Sequence, residues 1–325
     1  MAQLIERDQI GKREDLANFI ANVDQASTPL LSRIKSGDAP GNTKLEWQVD
    51  DYPAVSIDGV VDESDVGASD WENFSARAIL YNYVQIFNRF PRVSRLTNVS
   101  DVAGIGKKEM AHQITKGLTM QKRDIEARFL SGSDAQLGTA SVGYETKGLG
   151  HYISTASTGN AVTPSGYRPA AAQVDETTLI GDVDDDTIRN VLEAIWNNTG
   201  VPGKFVGLCG SAIKKRISDL TSFVQGATKN VNVSDITVTQ VVDIIDGDFG
   251  VVELHLSSFI NVNGSGVGDS NAIYFIDMDK VEARYASRPS FRALDDAGGG
   301  PRGIIESIVG LVCTNPLGFG KIIAQ

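Results

Sequence analysis

The chain has 325 residues, 30 Lys and Arg against 41 Asp and Glu for a formal net charge of −11 at pH 7, and 41% apolar against 22% charged side chains. Such a composition builds a sizeable core in two or three compact units and excludes bulk disorder. So acidic a chain also lacks the broad positive field that gathers nucleic acid by counterion release, which disfavours a DNA- or RNA-binding enzyme.

The opening residues MAQLIERDQIGKRED place charges where a secretory signal needs its apolar core, and no run of about 18 apolar residues follows anywhere. A protein made and folded in a cytoplasm is expected, with no membrane segment. Leu16, Phe19, Ile20 and Val23 have the spacing of an amphipathic helix over 12–23. Ser27-Thr28-Pro29 reads as a cap with proline at the first helical position, and Leu30, Leu31 and Ile34 as one face of a short helix stopped by Gly37. After a turn at 38–42 the period becomes two, with Leu45, Trp47 and Val49 on one side of a strand. A returning strand runs from Ala78 through Val84 to Phe87, so residues 44–87 form a two-stranded excursion. Between Leu45 and Ala76 stand nine acidic residues, Glu46, Asp50, Asp51, Asp58, Asp62, Glu63, Asp65, Asp70 and Glu72, and no Lys or Arg. Nearly all the net charge therefore belongs to one ribbon.

Asp101 reads as the cap of a helix reaching Leu130, where Ser131-Gly132 ends it; 30 residues would span about 45 Å. Met110, Ile114, Leu118, Ile125 and Phe129 give it a narrow apolar stripe, with Lys107, Lys108, Lys116, Lys122, Arg123 and Arg128 around the rest. Residues 132–181, rich in Gly, Ser, Thr and Ala, read as loops with short strands. An alternating stretch follows: a helix carrying Ile188, Val191, Leu192, Ile195 and Trp196, a strand from Phe205 to Cys209, a helix from Ser211 to Leu220, and strands 236–245 and 251–256 joined through Asp246-Gly247. Strand-like runs at 272–276, 280–286 and 304–313 close the chain.

Chemical motifs are few. Asp182, Asp184, Asp186 and Glu193 fit four positions of a calcium loop, but its obligatory glycine is Thr187, so helix capping is the better reading. Asp248-Phe249-Gly250 lacks every other kinase element and reads as a hairpin turn. Ser211-Ala212-Ile213-Lys214 has the spacing of an acyl-transfer pair without its partner motifs, so Ser211 is expected to cap a helix. Gly264-Ser265-Gly266-Val267-Gly268 lacks a phosphate-binding lysine and reads as a loop. His112, His151 and His255 are too scattered for a ligand set, and Cys209 and Cys313 read as reduced core residues. No catalytic, cofactor-binding or metal residue is assigned, and no cofactor is expected.

The opening GKREDLANFIANVDQASTPLLSRIKSGDAPGNTKLEWQVDDY, the strand NYVQIFNRFPRVS and the segment KKEMAHQITKGLTMQKRDIEARFL resemble the major capsid proteins of tailed bacteriophages. That resemblance implies an α+β, Hong Kong 97-type capsid fold: an N-terminal arm at 1–43, an extended β-hairpin loop at 44–76, a peripheral domain at 77–181 with a long spine helix at 101–130, an axial α/β domain at 182–277, and closing strands of the peripheral domain at 278–325. It implies a non-enzymatic coat protein that self-assembles through pentamers and hexamers into an icosahedral head around double-stranded DNA, bound without sequence specificity. The implied partners are further copies of the chain, a portal, and a scaffold or decoration protein; the implied location is the virion, after assembly in the host cytoplasm. Some members of this fold join Lys to Asn; Lys44 and Asn315 lie in suitable regions, but no catalytic carboxylate is marked and neither is assigned. The rivals are a nanocompartment shell protein of the same fold and a cytoplasmic calcium-dependent or hydrolytic enzyme around Asp182–Glu193 and Ser211.

Overall fold

A computed structural model describes residues 27–50, 52, 55, 57, 59, 62, 67, 77–100, 108–155, 163–220, 243–262, 268–296 and 298–325. The expected helix at 12–23, the tip of the acidic ribbon, residues 101–107 with which the long helix was expected to begin, and the glycine-rich run at 264–267 lie outside them. The chain divides into two compact units. The larger comprises Ser27–Phe87, Lys122–Arg288 and Ser307–Gln325; the described part of the smaller is drawn from Asn88–Gln121 and Pro289–Glu306.

In the larger unit the short helix expected after Pro29 does not form. Residues 29–33 make a hydrogen-bonded turn, and the chain passes directly into a two-residue strand, β1 (Lys35–Ser36), parallel to β10 (Val281–Leu294) with Lys35 opposite Glu282. Pairing with that strand takes the backbone groups that a helix would have used internally. The excursion holds as a ribbon: β2 (Lys44–Val49) is antiparallel to β3 (Ala78–Tyr83), with Leu45 opposite Asn82 and Val49 opposite Ala78. The return strand, expected to be continuous to Phe87, breaks at Val84, and β4 (Gln85–Arg89) enters a different, four-stranded sheet of order β1-β10-β11-β4, in which β11 is Arg302–Cys313.

The six-stranded sheet has the order β5-β12-β9-β6-β8-β7, built from β5 (Val174–Asp175), β6 (Gly203–Cys209), β7 (Ile244–Gly247), β8 (Gly250–Leu256), β9 (Ala272–Ile276) and β12 (Gly320–Ile323). Central β9, AIYFI, is buried at all five residues, as its unbroken apolar run requires when both faces are covered. β12, which the sequence reading did not foresee, pairs with β9 and β5, so the stretch 278–325 supplies a strand to this sheet as well as to the four-stranded one. The hairpin between β7 and β8 turns at Asp248-Phe249, two residues beyond the expected Asp246-Gly247; Gly247 pairs with Gly250, whose φ of 142° needs glycine.

α4 (Asp185–Thr199) packs Ile188, Val191, Leu192 and Ile195 with Phe205, Ile213, Val252 and Phe275; each such buried side chain contributes roughly 1.5–3 kcal/mol. Trp196, expected on the buried face, is 39% exposed beside Phe249. A second core gathers Leu30, Ile125, Phe129, Leu149, Tyr152, Tyr274, Val309 and Leu311. Leu149 and Tyr152 come from a one-turn helix, α3 (Leu149–Tyr152), inside the stretch expected to be loop. Loops dominate the described part of 132–181 as anticipated, but the short strands expected there reduce, among the described residues, to β5, beside α3 and two 3-10 turns, and their share of the core was not anticipated.

The long helix, α2, is Glu109–Phe129, 21 residues and about 31 Å, because Lys108 is already non-helical. Its buried positions include Met110, Gly117, Gln121, Ile125, Glu126 and Phe129, whereas Ile114 and Leu118 are only half-buried. Within the smaller unit, a short helix absent from the sequence reading, α1 (Arg95–Val99), is capped by Ser94 and holds the start of α2 through Asn98 Oδ1, which accepts from Met110 N at 3.3 Å. Gly117 there lies against Ile305, since a Cβ would come within 2.5 Å of its Cδ1.

Candidate assembly surfaces

The residues singled out for chemistry take structural roles. Asp184 Oδ1 accepts from Thr187 N at 2.8 Å and Thr187 Oγ1 at 2.7 Å, capping α4, while Asp182 and Glu193 are exposed. Among the described residues, no group of three or more His, Cys, Asp or Glu is placed to hold a metal. Ser211 does not cap its helix: Gly210 is the N-cap of α5 (Ser211–Asp219), and Lys214 Nζ lies 3.1 Å from Asp243 Oδ1. His151 Nδ1 sits 3.1 Å from the Gly132 carbonyl, and His255 lies 3.8 Å from Glu253, its protonation disfavoured by burial and by nearby Arg33. Cys209 and Cys313 are free and buried, burial raising the Cys209 thiol to about 11. Lys44 pairs with Glu46 over the Tyr81 ring, and Asn315 Oδ1 accepts from Leu317 N at 3.1 Å.

The ribbon is fixed at its base by a buried polar residue that the sequence reading passed over. Along β3, Leu80 and Asn82 point inward, and Asn82 is fully buried. Its Nδ2 donates to the Leu311 carbonyl at 2.7 Å and to Thr146 Oγ1 at 3.1 Å, while its Oδ1 accepts from Lys147 N and Tyr83 N, each at 2.8 Å. Four bonds satisfy the whole amide, so the strand is located against β11 and the 146–147 loop in one register. A polar residue at an inward position of an alternating strand was the available signal.

Lys147 is buried beneath it. Its ammonium donates to Thr163 Oγ1 at 3.2 Å, lies 3.6 Å from Asp134 Oδ1 and faces the Tyr152 ring at 4.7 Å; burial, opposed by Asp134, lowers it to about 8. Arg128, expected on the solvated side of the long helix, instead binds the Thr146 and Asp134 carbonyls and Glu145. Lys108, Lys116 and Lys122 remain exposed on or beside that helix.

Large apolar side chains stand in solvent. In the larger unit Tyr52, Val55 and Ile57 are about nine-tenths exposed; in the smaller, Phe90, Leu96 and Val99 are 68%, 80% and 85% exposed. Beside the C-terminal end of β2 a cavity of about 660 Å³ is lined by Asp50, Tyr52, Lys204, Lys280 and Asn315 among others.

The family model described as SU10 major capsid protein matches residues 4–324. The chain belongs to that family. No curated protein sequence matches it. Among solved structures, the capsid asymmetric unit of cyanophage A-1(L) is similar at 13% identity and TM-score 0.63, covering 99% of both chains. That of cyanophage Pam1 gives 10% and 0.62, covering 99% of this chain and 98% of that one; the capsid of a native GTA particle gives 15% and 0.58, covering 98% of each. At such identities these likenesses speak for the fold, which is α+β and of the Hong Kong 97 capsid type. This major capsid protein is thus a phage coat protein, a component of the virion shell that acts in many copies. The nanocompartment and enzyme alternatives are not favoured.

Proposed function

We propose that this coat protein assembles through pentamers and hexamers into an icosahedral head around the double-stranded DNA of a tailed bacteriophage. The observation that carries the reading is the family match across residues 4–324 on a subunit that leaves Tyr52, Val55, Ile57, Phe90, Leu96 and Val99 in solvent. On this reading 1–43 is an arm and 44–76 a loop, both reaching neighbouring subunits. Residues 77–181 form the peripheral domain with α2 as its spine, 182–277 the axial domain, and 278–325 the closing strands. Each contact can be weak, because a closed shell makes many at once. A wall near neutral outside one acidic ribbon lets DNA move past it during packing. Assembly takes place in the host cytoplasm with a portal and a scaffold or decoration protein, and the subunit works without catalysis.

Electron microscopy of the expressed protein tests this reading. Closed shells of uniform diameter are expected. Small monodisperse particles under every assembly condition would refute it.

A further inference from the structure

The C-terminal end of α2 and the ribbon hold opposite ends of one peptide group. Arg128, one residue before the end of the helix, keeps only 14% of its side chain exposed. Its Nε donates to the Thr146 carbonyl at 2.7 Å, its Nη2 donates to the Asp134 carbonyl at 3.0 Å, and its Nη1 lies 3.1 Å from Glu145 Oε2. The peptide that begins with that Thr146 carbonyl ends in Lys147 N, which donates to Asn82 Oδ1 at 2.8 Å. A trans peptide is planar and points its C=O and N–H in opposite directions, so Arg128 and Asn82 grip a stiff plate from either side. Thr146 Oγ1 also accepts from Asn82 Nδ2, and Thr146 N donates to Gln85 Oε1, each at 3.1 Å, so this residue meets the chain on both sides of the break at Val84.

The ribbon depends on such an outside hold. Among the described residues, β2 and β3 pair only with each other. Val84 N donating to Thr43 O at 3.0 Å closes the root, and Leu45 and Val84 rest on Val312. Gly310 permits the close approach, since a Cβ there would come within 2.5 Å of Leu45 Cδ1. Apolar contacts of this kind have no preferred direction, whereas hydrogen bonds do. At about 3.3 Å per residue Gln48 stands roughly 16 Å from Thr43, so a turn of about 10° at the root would move it by about 3 Å.

We propose that Arg128 is a positioning residue for the ribbon, setting its direction through the 146–147 peptide and Asn82. One consequence rests on the shell reading above: a ribbon that reaches a neighbour is aimed by the end of the long helix in its own subunit. The relay itself is a property of the single subunit and is tested there.

Pulsed electron spin resonance on the full-length, unassembled protein reads the ribbon's direction. Spin labels go on Gln48→Cys in the ribbon and Glu193→Cys in α4, both exposed positions, while the native Cys209 and Cys313 are buried. The parent should give one narrow distance; a broad one would overturn the proposal. Arg128→Gln cannot serve all three groups and should spread the distance by about 3 Å. Asn82→Leu should do the same, and the two together should add nothing further, because both cut one relay. An unchanged distance in Arg128→Gln, or spreads that add in the double variant, would overturn the relay. So would loss of amide protection in α4 alongside the spread, which is what a merely structural Arg128 predicts. Arg128→Lys keeps the charge beside Glu145 without the planar fork and should also spread the distance. A narrow distance in that variant would overturn the relay, and it decides the matter if Arg128→Gln fails to fold. Absence of shells, by contrast, would refute the shell reading and leave the measured relay standing.

Discussion

Asp134 is the counter-charge of a buried lysine, and its removal tests how that lysine is tolerated. Lys147 is 0% exposed, with Asp134 Oδ1 at 3.6 Å. Breaking a buried pair from one side leaves a desolvated charge, which costs more than replacing the pair by apolar groups. Asp134→Asn should therefore lower the unfolding free energy by about 2 kcal/mol in urea, and adding Lys147→Met should recover much of that loss. Asp296 works differently, at a loop in the smaller unit. Its Oδ1 accepts from the N–H groups of Gly298, Gly299 and Gly300, and its Oδ2 from Arg95 at 2.7 Å. Arg95 first, then those backbone bonds, lower its carboxyl to about 2. The order it gives the loop is present above pH 3.8 and is lost as pH falls toward 2. Asp296→Ala should abolish amide protection at 298–300 even at neutral pH, with little change in global stability; unchanged exchange at those glycines would refute this. Neither residue was legible in sequence, because a lone carboxylate acquires its role only from partners 13 and 201 positions away.

At the scale of elements, close backbone approach sets the tolerances. A Cβ on Gly132 would come within 1.9 Å of the Val262 carbonyl oxygen, where Gly132 N donates to the Asn261 carbonyl at 2.8 Å. Gly132→Ala should then destabilise by about 3 kcal/mol, read as a lowered midpoint in urea. Gly117→Ala meets only the flexible end of Ile305, and its gain in helix propensity, about 1 kcal/mol, offsets much of the clash. Elements with a strong local signal were readable from the sequence: the alternation of β2, the Asp184 cap of α4 and the apolar run of β9. What escaped was tertiary. The turn at 29–33 had a helix pattern, but its N–H groups went to Glu126 and its next residues to β10. β12 is four residues long and becomes a strand because β5 and β9 hold it on either side.

At the scale of the molecule, charge is segregated. Residues 45–76 carry −9 of the −11, whereas Lys116 and Lys122 of the long helix are exposed, and the proposed shell would let the acidic segment of one copy meet such lysines on another. Because exposed pairs are worth about 0–1 kcal/mol each and are screened by salt, replacing Asp62, Glu63 and Asp65 with lysine should lower shell yield most at low ionic strength. Equal yield at all salt concentrations would show that the ribbon's charge plays no part in assembly. The family resemblance was legible because it rests on wording in the first 130 residues; the division into two units was not, since its boundaries fall within α2, β10 and β11. The position of β12 also bears on how the subunit is made. Residues 320–323 lie between strands that left the ribosome about 50 and 150 residues earlier. At about 5–20 residues per second, the six-stranded sheet waits several seconds for its β12 rung after β9 has emerged. During that interval β9 presents an open edge, the kind of unpaired strand with which another chain can pair.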